Sequence, residues 1–105
     1  MTISFDEKVC VVTGAGNGLG RCHALALAER GAKVVVNDLG GARDGTGASS
    51  KAADTVVDEI IKNGGEAFSH GANVTNYEEV IDMIKQTMKR WGRIDVLINN
   101  LSLIH

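Results

Sequence analysis

Glycine occupies every second position from Gly14 to Gly20 in VVTGAGNGLGR (11–21), between an apolar run and the helix-favouring segment RCHALALAER. Each glycine costs about 0.5–1 kcal/mol in backbone entropy where regular structure is available, so a requirement at this turn outweighs that cost. Such a turn reverses tightly and lets the backbone approach a ligand with no Cβ in the way. The helix that follows offers free amides and a partial positive charge, a setting suited to a pyrophosphate. The turn is therefore assigned to the phosphates of a dinucleotide. Asp38 stands 24 residues after Gly14, at the end of a second apolar run. A carboxylate there accepts hydrogen bonds from both ribose hydroxyls and repels a 2′-phosphate, which points to NAD rather than NADP. Arg21 and Arg43 are the cations able to offset that repulsion.

The spacing also excludes relatives of this turn. No Lys-Ser or Lys-Thr follows the glycines, so it is not the phosphate loop of nucleotide-hydrolysing proteins. The strict G-x-G-x-x-G register fails as well, since Leu19 holds its last position.

These residues need a frame, and the rest of the chain supplies one. With 105 residues there is room for one small domain and one core. A hydrophobic share of 44% with 23% charged residues is a soluble globular profile, and a net charge of −2 without a basic block offers no footprint for nucleic acid. No apolar stretch approaches a membrane span and no cleavable signal opens the chain. Cys10 and Cys22 read as reduced core residues. His23, His70 and His105 lack ligand spacing, so no metal site is expected.

Short apolar runs alternate with helical patterns. Strands are expected at 8–13, 33–38, 66–71 and 93–99, and helices at 18–30, 52–63 and after Thr75, with stops at Gly31, Gly64-Gly65 and Gly92. Thr75 and Glu78 fit a capping box for the third helix. Its expected apolar face is Val80, Ile81, Ile84 and Met88; that of the second helix is Ala53, Val56, Val57, Ile60 and Ile61. Ser49 and Ser50 read as the start of the second helix, and Trp91 as a cover for the end of the third. Strands that are apolar throughout, joined by helices, mean a parallel sheet covered on both faces. The fold class is α/β, a Rossmann-like doubly wound βαβαβαβ unit of four strands and three helices.

The pattern T-G-x-x-x-G-x-G, as Thr13, Gly14, Gly16, Asn17, Gly18, Leu19 and Gly20 with Ala15 inside it, together with VVVNDLGG (34–41) and RIDVLINN (93–100), resembles the short-chain dehydrogenase/reductase family. The likeness spans nearly the whole chain and is narrower toward the (3R)-hydroxyacyl-CoA dehydrogenase unit of peroxisomal multifunctional β-oxidation enzymes and its bacterial relatives. It implies an adenine contact at Asn73-Val74, where asparagine stands for the family's aspartate. It also implies a ribose contact near Asn100, with Asn99 bracing the sheet. The family continues Asn-Asn-Ala-Gly, whereas this chain reads Asn-Asn-Leu-Ser.

The expectation is thus the NAD-binding portion of a hydride-transferring enzyme, residues 1–105, shortened at its C-terminus. By resemblance the substrate is a 3-hydroxyacyl-CoA, a partner only of a full-length form, which would be a homodimer. No catalytic residue is assigned. The serine, tyrosine and lysine of the family lie beyond the fourth strand, and Tyr77 has no lysine four residues later. The isolated chain is expected to be marginally stable, to bind NAD weakly if at all and to turn over no 3-hydroxyacyl-CoA. The competing readings are a nucleotide-binding module without chemistry, an inactive shortened product, or a flavodoxin-like fold with another ligand. The expected compartment is the cytoplasm, or the peroxisome in a eukaryotic source.

Overall fold

The computed structural model describes residues 6–15, 18–38, 51–73 and 75–98. Four strands, β1 (Val9–Val12), β2 (Lys33–Asn37), β3 (Glu66–His70) and β4 (Val96–Ile98), alternate with three helices, α1 (Gly18–Glu29), α2 (Lys51–Lys62) and α3 (Tyr77–Trp91). The sheet runs in the order β3-β2-β1-β4 and every pairing is parallel. Val11 faces both Val35 and Leu97, so β1 is paired on each side.

Successive strands first move away from β1 and then return to its other side. With right-handed crossovers, opposite directions of travel place helices on opposite faces. Side-chain packing follows that rule. Cys10, Val12, Val34, Val36 and Ala67 meet Ala24, Ala53, Val56 and Ile60 of α1 and α2 on one face. Val11, Val35 and Phe68 meet Met83 and Trp91 of α3 on the other. Phe68 and Trp91 lie tilted at a centroid distance of 5.4 Å, and Arg90 sits over both rings. All four residues of β1 are buried, and four of the five in β2, as expected for strands covered from both sides.

The helices stop at Gly31, Gly64 and Gly92, each in the left-handed region. Three expectations about which residues are buried are corrected. In α3 the sheet-facing row is Met83, Thr87 and Trp91, spaced by four, while Ile84 and Met88 are exposed. Thr87 escapes a hydrophobicity reading because its hydroxyl donates to the Met83 carbonyl at 2.8 Å, which satisfies it when buried. In α2, Ala53, Val56 and Ile60 are buried but Ile61 is exposed, one residue and about 100° beyond the contact row. Cys22 is exposed although Cys10 is buried. The inward row of α1 is Gly20 and Ala24, and Cys22 lies midway between them on the opposite side of the helix. Burial, then Asp95, pushes the Cys10 thiol pKa up.

Asp95 ties the start of β1 to the start of β4. Its carboxylate accepts the Val9 amide at 2.8 Å, its own amide donates to the Val9 carbonyl at 2.9 Å, and Arg93 grips both carboxylate oxygens. Arg93 first, then the Val9 amide, hold the Asp95 carboxyl below its ordinary range. A depressed carboxylate contributes stability that is present above its unfolded pKa, about 3.9, and is lost as pH falls through the lower folded value. Denaturant titrations should therefore show stability declining below about pH 4. Asp95→Asn should be less stable at neutral pH and should show a shallower acid decline than the parent chain.

Candidate functional site

All four strands point the same way, and their order reverses between β1 and β4, so the carboxyl ends of these strands form one edge with a switch point beside β1. Sheets of this class bind ligands there. Thr13 follows β1 directly, with 3% of its surface exposed; its amide donates to the Ile98 carbonyl of β4 at 2.9 Å. Two residues on, the Ala15 amide donates to the Asn37 carbonyl of β2 at 2.8 Å. The turn after β1 is thereby suspended between the strands on either side.

Gly14 and Gly18 adopt φ values of +61° and +58°, a region that L side chains enter at a cost of about 1–2 kcal/mol. A Cβ built on Gly18 would meet no atom within 4 Å beyond its chain neighbours and the backbone of its own helix. The glycine therefore leaves open space at the mouth of α1. Leu19 is 69% exposed beside it, and the first turn of α1 carries no acidic residue to oppose its partial positive charge. Gly20 is buried inside α1, where absence of a side chain permits close packing. Gly16 and Asn17 lie outside the described residues.

Asp38 follows β2 directly, half-buried, with its amide donating to the His70 carbonyl at 3.3 Å. The structure therefore brings Thr13, Gly14, Gly18, Leu19 and Asp38 to one edge. Arg21 is turned toward α2, where its Nη2 makes two bonds, of 2.7 and 2.8 Å, to the Glu59 carboxylate. Arg43, Ser49 and Ser50 lie outside the described residues, as do Val74, Asn99 and Asn100.

Asn73 also stands at this edge, beyond β3, but its side chain is engaged locally. Its Oδ1 accepts the Thr75 amide at 3.0 Å and the Thr75 hydroxyl at 2.7 Å, and its own amide donates to Glu79 at 3.1 Å. The cap of α3 consequently sits one residue later than the sequence suggests. Asn76, not Thr75, is the N-cap, and Asn76 Oδ1 accepts the Glu79 amide at 3.2 Å. Thr75 instead turns its hydroxyl back to donate to Asn73.

Two residues that motif reading passes over hold this edge together. Asn37 is 2% exposed and donates to the carbonyls of His70 and Ala72. His70 accepts the Ala72 amide at Nδ1, 3.0 Å away, and meets Asp82 of α3 through Nε2 at 2.8 Å. That contact is the largest cause holding the Asp82 carboxyl below its ordinary range. A polar residue inside the apolar run VVVN was the available signal for Asn37, since a buried amide must find partners. A broad hollow bounded by Glu7, Gly31, Lys33 and Gly65 lies at the opposite edge, at the amino end of β2. Among the described residues no group of acidic, histidine or cysteine side chains is placed to hold a metal ion.

A family model for short chain dehydrogenase matches residues 8–105. The chain belongs to the short-chain dehydrogenase family. It is 55% identical over 105 residues to the peroxisomal multifunctional enzyme type 2 of Drosophila melanogaster, covering 97% of this chain and 17% of that protein. It is also 55% identical over 102 residues to the peroxisomal hydratase-dehydrogenase-epimerase of Saccharomyces cerevisiae, covering 97% and 11%. Among solved short-chain dehydrogenases, one from Mycobacterium avium superposes with a TM-score of 0.84 at 46% identity, covering 95% of this chain and 35% of that one. A 7α-hydroxysteroid dehydrogenase complexed with NADH and 7-oxo glycochenodeoxycholic acid gives 0.79 at 33% identity, covering 91% and 34%. The chain thus spans well under half the length of these relatives. The Rossmann-like fold read from the sequence is that of the family, and no helix among the described residues is long and apolar enough to cross a membrane.

The cap assignment is open to a direct check. Asn76→Ala should lower stability by about 1 kcal/mol, the usual loss for an N-cap asparagine. Thr75→Ala should lower it by less, as read from urea denaturation curves of the two variants.

Proposed function

We propose that this chain forms the dinucleotide-binding portion of a short-chain dehydrogenase that moves hydride between NAD and a secondary alcohol or ketone. One observation carries the reading: a left-handed glycine, Gly18, opens α1 at the carboxyl edge of the sheet, its Cβ direction is empty, and Asp38 stands on the adjoining strand end. The residues present fit the group. Thr13, Gly14, Gly16, Asn17, Gly18, Leu19 and Gly20 form the turn and helix start that take the pyrophosphate. Asp38 takes the adenosine ribose, Asn73 and Val74 are assigned to the adenine, and Asn100 is assigned to the nicotinamide ribose. The acceptor oxygen of Asn73 is occupied by Thr75, so its amide nitrogen is the group left to meet the base edge.

NAD is favoured over NADP on two grounds. Asp38 would face a 2′-phosphate with like charge, and the Nη2 of Arg21 is paired with Glu59 on α2. When bound, the nicotinamide ring accepts or returns the hydride. The chain's own residues bind and orient it. Tyr77 is 79% exposed on the first turn of α3 and is followed four residues later by Ile81, so no proton-transferring role is assigned within these residues.

The names of the peroxisomal relatives support a dehydrogenase activity and a peroxisomal compartment for the whole protein, and the 3-hydroxyacyl-CoA substrate rests on the sequence resemblance. That reading extends to a family-like homodimer.

Two variants test the site. Gly18→Val strains a left-handed backbone by about 1–2 kcal/mol or more, but its side chain meets nothing beyond its immediate neighbours; variant protein that keeps its circular dichroism spectrum should lose saturable NAD binding in a ligand-observed NMR titration. Unchanged affinity in the folded variant would sink the phosphate assignment. Asp38→Ala should narrow the preference for NAD over NADP by about tenfold or more, since removal of one like-charge contact is worth about 1–3 kcal/mol. An unmoved preference would make Asp38 a turn residue only.

A further inference from the structure

Asn37 is buried at the end of β2, yet neither the phosphate turn nor the ribose carboxylate accounts for it. Both N–H groups of its side chain are used, since Nδ2 donates to the carbonyl oxygens of His70 and Ala72, each at 3.0 Å. Its main-chain oxygen accepts the Ala15 amide at 2.8 Å. One residue thus touches the turn after β1 through its backbone and the segment after β3 through its side chain. Asp38 comes next in the chain, and its amide donates to the same His70 carbonyl. Ala72 is held at both of its polar groups, because its amide donates to the His70 ring, which Asp82 fixes from α3.

A primary amide on a one-carbon stem suits this place. It presents two donors in one plane, whereas a hydroxyl presents one, and a carboxylate would confront two carbonyl oxygens with no proton to give. The asparagine before Asp38 therefore does more than end a strand.

We propose that Asn37 is a positioning residue for the adenosine half of the site. Its side-chain amide sets the separation between Asp38, which takes the ribose, and residues 71–73, which border the adenine. This inference rests on the dinucleotide reading above. The pyrophosphate turn hangs on the main-chain oxygen of Asn37, which survives any substitution, so the two halves of the site respond differently to a change of this side chain.

The test is a ligand-observed NMR titration of the purified chain with NAD, AMP and inorganic pyrophosphate, comparing wild type with Asn37→Asp and Asn37→Ser. Both variants should weaken NAD and AMP about tenfold or more, Asn37→Asp the more severely, while pyrophosphate affinity stays at the wild-type level. A merely structural role would lower all three together, and that result overturns the inference, as does unchanged AMP affinity. Should neither variant fold, the wild-type Asn37 side-chain NH₂ resonances decide. They should shift with AMP and not with pyrophosphate, and an absence of any shift with AMP bound overturns the inference. Wild-type chain that shows no saturable NAD or AMP binding overturns the dinucleotide reading itself, and this inference with it.

Discussion

The turn after β1 depends on two backbone bonds made to different strands. Thr13 gives its amide to Ile98 and Ala15 gives its amide to Asn37, so the chain that leaves the central strand is held from both sides before α1 begins. The constraint behind this is general: polar backbone groups that leave a buried sheet must find partners or forfeit their hydration. Because β1 lies between β2 and β4, those partners are the ends of its neighbours. The glycine turn, the start of α1 and the residues beyond β2 are thereby brought to one edge by the same bonds that terminate the strands.

Charge at that edge is arranged in opposed parts. The first turn of α1 carries no carboxylate of its own, which leaves its partial positive charge for an anion. Asp38 places a negative charge at the adjacent strand end, where hydroxyls and not phosphates are the compatible partners. Arg21, one helical turn into α1, would blur this division if it reached the edge. Its two bonds to Glu59 turn it toward α2 instead. For an exposed pair of this kind the contribution to stability is small, and its effect here is one of direction.

The two faces of the sheet are covered unequally. Under α1 and α2 the strands are sealed by Ala24, Ala53, Val56 and Ile60. On the α3 side the covered region is where Met83 and Trp91 cross Val35 and Phe68. Leu97 of β4 is 64% exposed on that face, in register with the buried Val11. The apolar run of β4 is therefore no guide to its burial in this chain, although it is a sound guide to its pairing.

From its residues alone the sequence determined the alternation of strand and helix, the parallel sheet, the glycine turn at the mouth of α1 and the place of Asp38. These follow from local patterns, because apolar runs, left-handed glycines and strand ends are written in consecutive residues. Tertiary structure decided the rest. Whether Ile84 or Thr87 faces the sheet depends on the angle at which α3 crosses it, and whether Asn76 or Thr75 caps that helix depends on where the chain leaving β3 turns into it. Arg21 is turned from the edge by Glu59, 38 residues away. The buried amide of Asn37 finds its acceptors at His70 and Ala72, 33 and 35 residues on. Such bonds are absent from any short window of sequence, since hydrogen-bond partners are chosen only once β2 and β3 lie side by side.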